Sequence, residues 1–165
     1  MPMKDVKDVF VTMLSGVRRG TEHSNNFYQE LGELAQDQDV KEALNARALV
    51  SESILKRLDE CFKIIGAQPV KPEGKIHELI VEDFRRELGA IESPEARRLF
   101  VLAKMIHLMH LRVGEYMALI TAADLTGHYG VGVLLETCLA DKLALVDRTR
   151  RLIRERVAQK VTSRS

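Results

Sequence analysis

Four long stretches of this chain place inward-facing residues at the 3.6-residue spacing of a helix, and that periodicity leaves few folds open. The first runs from about Asp5 to about Ala35 and carries Val6, Phe10, Met13, Val17, Thr21, Ser24, Tyr28 and Leu31. The second carries Val40, Ala43, Val50, Ile54, Cys61 and Ile65. Asp39 with Glu42 three residues on reads as its capping box, and Gly66 as its C-terminal stop. Pro69 and Pro72 mark a connector, followed by a short helix from about Lys75 to Leu88 that Gly89 stops. Ser93 is an N-cap with Pro94 at the first helical position, opening a third stripe of Leu99, Leu102, Ile106, Met109, Val113, Tyr116 and Ile120. Gly127 ends it, leaving almost no loop before Val131, Leu135, Cys138, Lys142, Leu145, Thr149 and Leu152. So short a connection forces the last two long helices antiparallel. No strand alternation, internal repeat or low-complexity segment interrupts the pattern. The expectation is an all-α chain, an antiparallel four-helix bundle with a short fifth helix, forming one domain over residues 1–165.

Composition agrees. At 165 residues the chain is long enough to bury a real core. Aromatics make up only 5% and Trp is absent, as suits a helical bundle rich in Ala, Leu, Arg and Glu. No apolar run approaches the roughly 20 residues that a spanning helix needs, so no membrane association is expected. Met1-Pro2-Met3-Lys4-Asp5 lacks an apolar signal core, which predicts a cytoplasmic protein. Cys61 and Cys138 sit inside predicted helices among apolar neighbours and read as buried, reduced thiols.

Several of these residues together resemble a known family. The run Asp8-Val9-Phe10-Val11-Thr12-Met13-Leu14-Ser15, the Arg57-Leu58 pair, Tyr116 followed by Gly127, and Leu134-Leu135 with Leu139 are similar to the YciE/YciF family of bacterial ferritin-like stress proteins. No single motif is specific; the spacing of the set carries the likeness, over nearly the whole chain. The resemblance implies a ferritin-like bundle, usually dimeric, associated with stress responses.

It also implies where a di-metal site would sit, and there the chain departs from the family. The family's first-helix acid falls on Thr21, and its second-helix acid and the His or Gln four residues later fall on Val50 and Ile54. The third-helix acid, His, Tyr, acid pattern falls on Met109, His110, Leu111 and Arg112, so only the His survives. Two adjacent acids of the last helix fall on Asp141 and Lys142. Two cations need anionic oxygens converging from all four helices, including Glu-x-x-His pairs, and this chain contains no Glu-x-x-His. No metal is expected; instead Thr21, Val50, Ile54 and Met109 should pack together in the space that the ions would need.

Remnants can be weighed residue by residue. His110 lies on the flank of the Met109 stripe, whereas His107 points about 160° away, towards solvent. Asp141 lies about 60° from its stripe centre and is able to reach inwards. A degenerate iron site around His110 and Asp141 is therefore the alternative to a metal-free core. Glu22 and Glu52 read as solvated faces. Lys142 lies within its apolar stripe and Arg112 about 60° from the centre of its own. Each should either neutralise a nearby acid (Asp141, Glu115 or Glu136) or extend its head to water or to a dimer interface.

The last 18 residues are basic. Arg148, Arg150, Arg151, Arg154, Arg156, Lys160 and Arg164 stand against Glu155, a net +6; with the chain at +1, residues 1–147 carry −5. Leu152, Ile153 and Val157 keep this segment a packed helix, expected to fray at Thr162-Ser163. Without interleaved aromatics it does not read as a nucleic-acid surface; it reads first as a solvated helix face, with self-association as the functional alternative, and the charge asymmetry together with the family resemblance leads to the expectation of a homodimer. No Gly-rich phosphate loop or nucleophile elbow is present, and Gly130-x-Gly132 opens a helix with no preceding strand. The reading is a non-enzymatic structural or interaction protein, with a metal-handling protein as the alternative.

Overall fold

The computed structural model describes residues 3–34, 37–71 and 75–162, with side chains for 3–31, 37–71 and 75–155. Met1, Pro2, Ala35, Pro72, Ser163 and Arg164, and the side chains of Arg156, Val157, Lys160 and Thr162, lie outside that description. Five helices follow in order: α1 (Val6–Leu34), α2 (Gln38–Ile65), α3 (Ile76–Gly89), α4 (Pro94–Leu125) and α5 (Tyr129–Thr162). No strand occurs among the described residues.

The helix ends follow from local chemistry. Ser93 is extended, and its Oγ accepts from Ala96 N at 3.4 Å, with Pro94 supplying no orphan N–H of its own. Gly66 adopts φ 63° and ends α2, and Gly127 adopts φ 74° after α4. Both are left-handed conformations that a Cβ would strain. The start of α2 corrects the sequence reading: the N-cap is Asp37, whose Oδ1 accepts from Val40 N at 3.1 Å, and not Asp39. Gly89 is the last residue of α3 rather than its stop, and Ala90 caps the helix in a right-handed conformation.

The pairs α1–α2 and α4–α5 form two hairpins, joined by α2 against α5 and α1 against α4. Cross-links fix the directions. Arg57 pairs with Asp141 while Arg47, ten residues earlier, meets Thr149, so α2 and α5 run antiparallel. The short α3 closes over α1 and α4.

Two apolar clusters fill the ends of the bundle. One gathers Phe10, Leu14, Ile54, Leu58, Tyr116, Leu119, Val131 and Leu135; the other gathers Phe27, Tyr28, Leu44, Phe84, Leu102 and Met105. Each fully buried Leu or Ile contributes about 2 to 3 kcal/mol of transfer free energy. Val6 and Leu99, both placed on inward stripes, are instead 58% and 55% exposed. Between the clusters lies a third, small one of Met109, Leu145 and Val146, with the buried Arg47 guanidinium against Met109. That middle layer is where the function has to be sought.

Candidate functional site at mid-bundle

Six positions define the layer from sequence. Thr21 is buried, and its Oγ1 donates to Val17 O at 2.8 Å, which satisfies the hydroxyl within α1. Ile54 is buried in the first apolar cluster and Met109 in the small central one. Val50 is half-buried and touches both clusters. None of these four offers an anionic oxygen.

The other two are cations. Arg112 is 5% exposed, and its guanidinium donates to Glu115 Oε2 at 2.6 Å. Its Nη1 and Nη2 also face His77 Nε2 and Nδ1 at 3.0 and 2.8 Å. The guanidinium occupies the space that a Cβ on Gly20 would need. Arg112 thus neutralises an acid rather than reaching solvent. Burial and then the adjacent Arg112 charge push the His77 imidazole down to about 4, so at neutral pH the ring is uncharged. It is an acceptor for the guanidinium, not a partner cation for Glu115 at 3.5 Å.

Lys142 behaves differently. It is 4% exposed, and among the described residues no acceptor lies within hydrogen-bond distance of its Nζ. Asp141, its neighbour in sequence, is paired with Arg57 on α2 instead. Desolvation, then repulsion from Arg112 and Arg47, lowers the ammonium to about 8. Lys142 therefore forms no ion pair with an acid among the described residues, and its side chain stays almost wholly enclosed.

A third cation in the layer was missed from sequence. Arg47 is 1% exposed; it donates to Met109 Sδ at 3.0 Å and to Thr149 Oγ1, and its Cζ stands 5.8 Å from the Tyr28 ring centroid. None of these acceptors is anionic, and desolvation is the main cause that lowers its affinity for a proton. A signal existed: Arg47 sits seven residues from both Val40 and Ile54, on the same stripe, as Lys142 does on its own.

The remnant ligands part company. His110 is exposed and lines a groove of about 590 Å³ between α1, α3 and α4, together with His23, His77, Glu78 and Glu115. Asp141 is tied to α2 by Arg57. His107 is exposed, as its angle implied. Among the described residues no three His, Cys, Asp or Glu side chains form a group able to hold a metal. The donor set that a di-iron centre requires does not fit these residues, because two inward positions carry positive charge and four carry no charge.

Comparisons with known proteins bear on the family and the fold. A family model described as a domain of unknown function, DUF892, matches residues 5–162. Among solved structures, the stress protein YciF of E. coli superposes with a TM-score of 0.89 at 19% identity, over 94% of this chain and 99% of that one. YcfI from Rhodopseudomonas palustris, named as a candidate structural protein, gives 0.84 at 18% identity over 89% and 94%. A protein from Xanthomonas campestris gives 0.67 at 12% over 94% and 99%. No curated protein sequence matches. At these identities the structures show the ferritin-like fold. Among the described residues no helix is long and apolar enough to cross a membrane.

Proposed function

We propose a non-catalytic role for this chain, which belongs to the DUF892 family: a ferritin-like bundle that acts as a structural or interaction protein in a bacterial stress response, without a di-metal centre. The observation that carries this reading is the placement of Arg112 and Lys142, with Arg47 beside them, where a metal-bearing bundle needs carboxylates. Like charge at close range opposes entry of a second cation. The similar proteins called a stress protein and a candidate structural protein support the same direction.

The chain is proposed to work as a cytoplasmic homodimer. A +6 segment at one end and a −5 remainder favour antiparallel pairing of two copies over binding of nucleic acid. Two measurements test the proposal. Elemental analysis of protein purified from iron-supplemented cells should find no stoichiometric iron, manganese or zinc; finding one would support the metal-handling alternative around His110 and Asp141. Light scattering at micromolar concentration should give twice the chain mass, weakening at high salt; a monomer throughout would reject the dimer.

A further inference from the structure

We propose that the mid-bundle layer binds a small inorganic anion of chloride size, held between Arg47 on α2 and Lys142 on α5. The inference goes beyond the structural role proposed above and does not depend on it, since anion binding and iron binding are measured separately.

Charge makes the first argument. Three buried cations, Arg47, Arg112 and Lys142, share this layer, each 5% exposed or less. One carboxylate, Glu115, answers Arg112. The nearest acid in sequence to Lys142 is taken by Arg57. Neither Arg47 nor Lys142 forms an ion pair among the described residues, although burying a charge without a close counter-charge is among the most expensive arrangements in a protein. A bound anion supplies what the side chains do not.

An unused donor makes the second: Ser51 Oγ, one turn beyond Arg47, is fully buried and has no hydrogen-bond partner. Buried hydroxyls left without partners are rare and call for an explanation. Arg47 and Ser51 from α2 and Lys142 from α5, all buried, supply the donor types of an anion site. A carboxylate site for a metal would have the opposite polarity.

Enclosure and access set the size. A pocket of about 260 Å³ opens between α2 and α5, with Arg47 and Thr149 among its lining and Arg148 and Arg151 nearby. The same lining carries Asp39, Glu42 and Glu155, so the opening is balanced in charge, and Arg47 is the residue that links it to the interior layer. An interior this enclosed admits a halide more readily than an extended ligand.

The test uses the full chain at constant ionic strength, with chloride replaced stepwise by gluconate, which is too large for the layer. Denaturant unfolding of the wild type should show saturable stabilisation by chloride. At ten times the dissociation constant, the folded-to-unfolded ratio should rise about elevenfold. Lys142→Met, a substitution that removes an unpaired buried charge and should fold, is expected to lose that response, and Ser51→Ala to weaken it. Crystals soaked in bromide should show an anomalous peak between Arg47 and Lys142. Equal chloride dependence in wild type and Lys142→Met, no dependence at all, or bromide only beside Arg148 and Arg151 in the open pocket would each overturn the proposal.

Discussion

The Arg112 guanidinium fills the volume above Gly20 that any other residue at that position would claim with its Cβ. Glu115 and His77 hold it there, so it cannot simply swing aside. Gly20→Ala is expected to cost about 1 to 3 kcal/mol in urea unfolding, despite the better helix propensity of Ala. In an Arg112→Met background the same change should cost much less, because the two positions share one space. Additive costs would show that the guanidinium and Gly20 are not coupled.

His77 gives a prediction in acid. Its ordinary value is 6.5 and its folded value about 4, so the unfolded chain binds a proton over that interval and the folded chain does not. Stability should therefore fall as pH drops from 6.5 towards 4, and His77→Phe should flatten that slope. NMR titration of the imidazole checks the cause directly; a midpoint near 6.5 would refute it.

Lys142 gives the converse in base. Its ordinary value is 10.5 and its folded value about 8. The cost of burying the ammonium is present in full below pH 8 and is relieved as pH rises towards 10.5. In chloride-free buffer, Lys142→Met should be more stable than wild type by on the order of 3 kcal/mol near pH 7. That advantage should shrink steadily above pH 8. The comparison must be between the two proteins, because Cys61, raised to about 12, titrates with opposite sign in the same range. A difference independent of pH would mean that Lys142 is not the buried charge it is held to be.

Asp37 joins two elements. Its Oδ1 caps α2 and its Oδ2 accepts from Arg98 on α4 at 2.5 Å. Asp37→Ala should cost about 1 to 2 kcal/mol by thermal or urea unfolding, and Asp37→Asn, which keeps the cap, about half of that. Equal losses for both would place the effect in the ion pair alone.

How far the sequence could be read follows from these residues. The long stripes were legible because Phe10, Val17, Ile54, Tyr116, Leu135 and Cys138 recur at helical spacing and bury as that spacing implies. Val6 failed because the first turn of α1 is exposed, and Leu99 failed because the apolar run Leu99–Leu102 offers more than one face. Asp37 and Asp39 both precede α2 closely, and only backbone geometry distinguishes the cap. At mid-bundle the positions of Thr21, Val50, Ile54, Met109, Arg112 and Lys142 were readable as departures from an acidic pattern. Arg47 falls on no acid position of the family pattern, so that pattern does not mark it, although its place on the apolar stripe of α2 does. His77 and Gly20 could not be paired with Arg112 from sequence, since α3 reaches that level only through the tertiary fold.

On the proposed reading, cations take the place of metal ligands in this bundle. Anaerobic calorimetric titration of the purified full chain with ferrous iron tests it most directly. No saturable heat is expected at stoichiometric iron, for wild type and for Asp141→Asn alike. Saturable binding that Asp141→Asn or His110→Ala abolishes would contradict it, and would establish a working iron site on the two residues that the structure otherwise leaves to Arg57 and to the open groove.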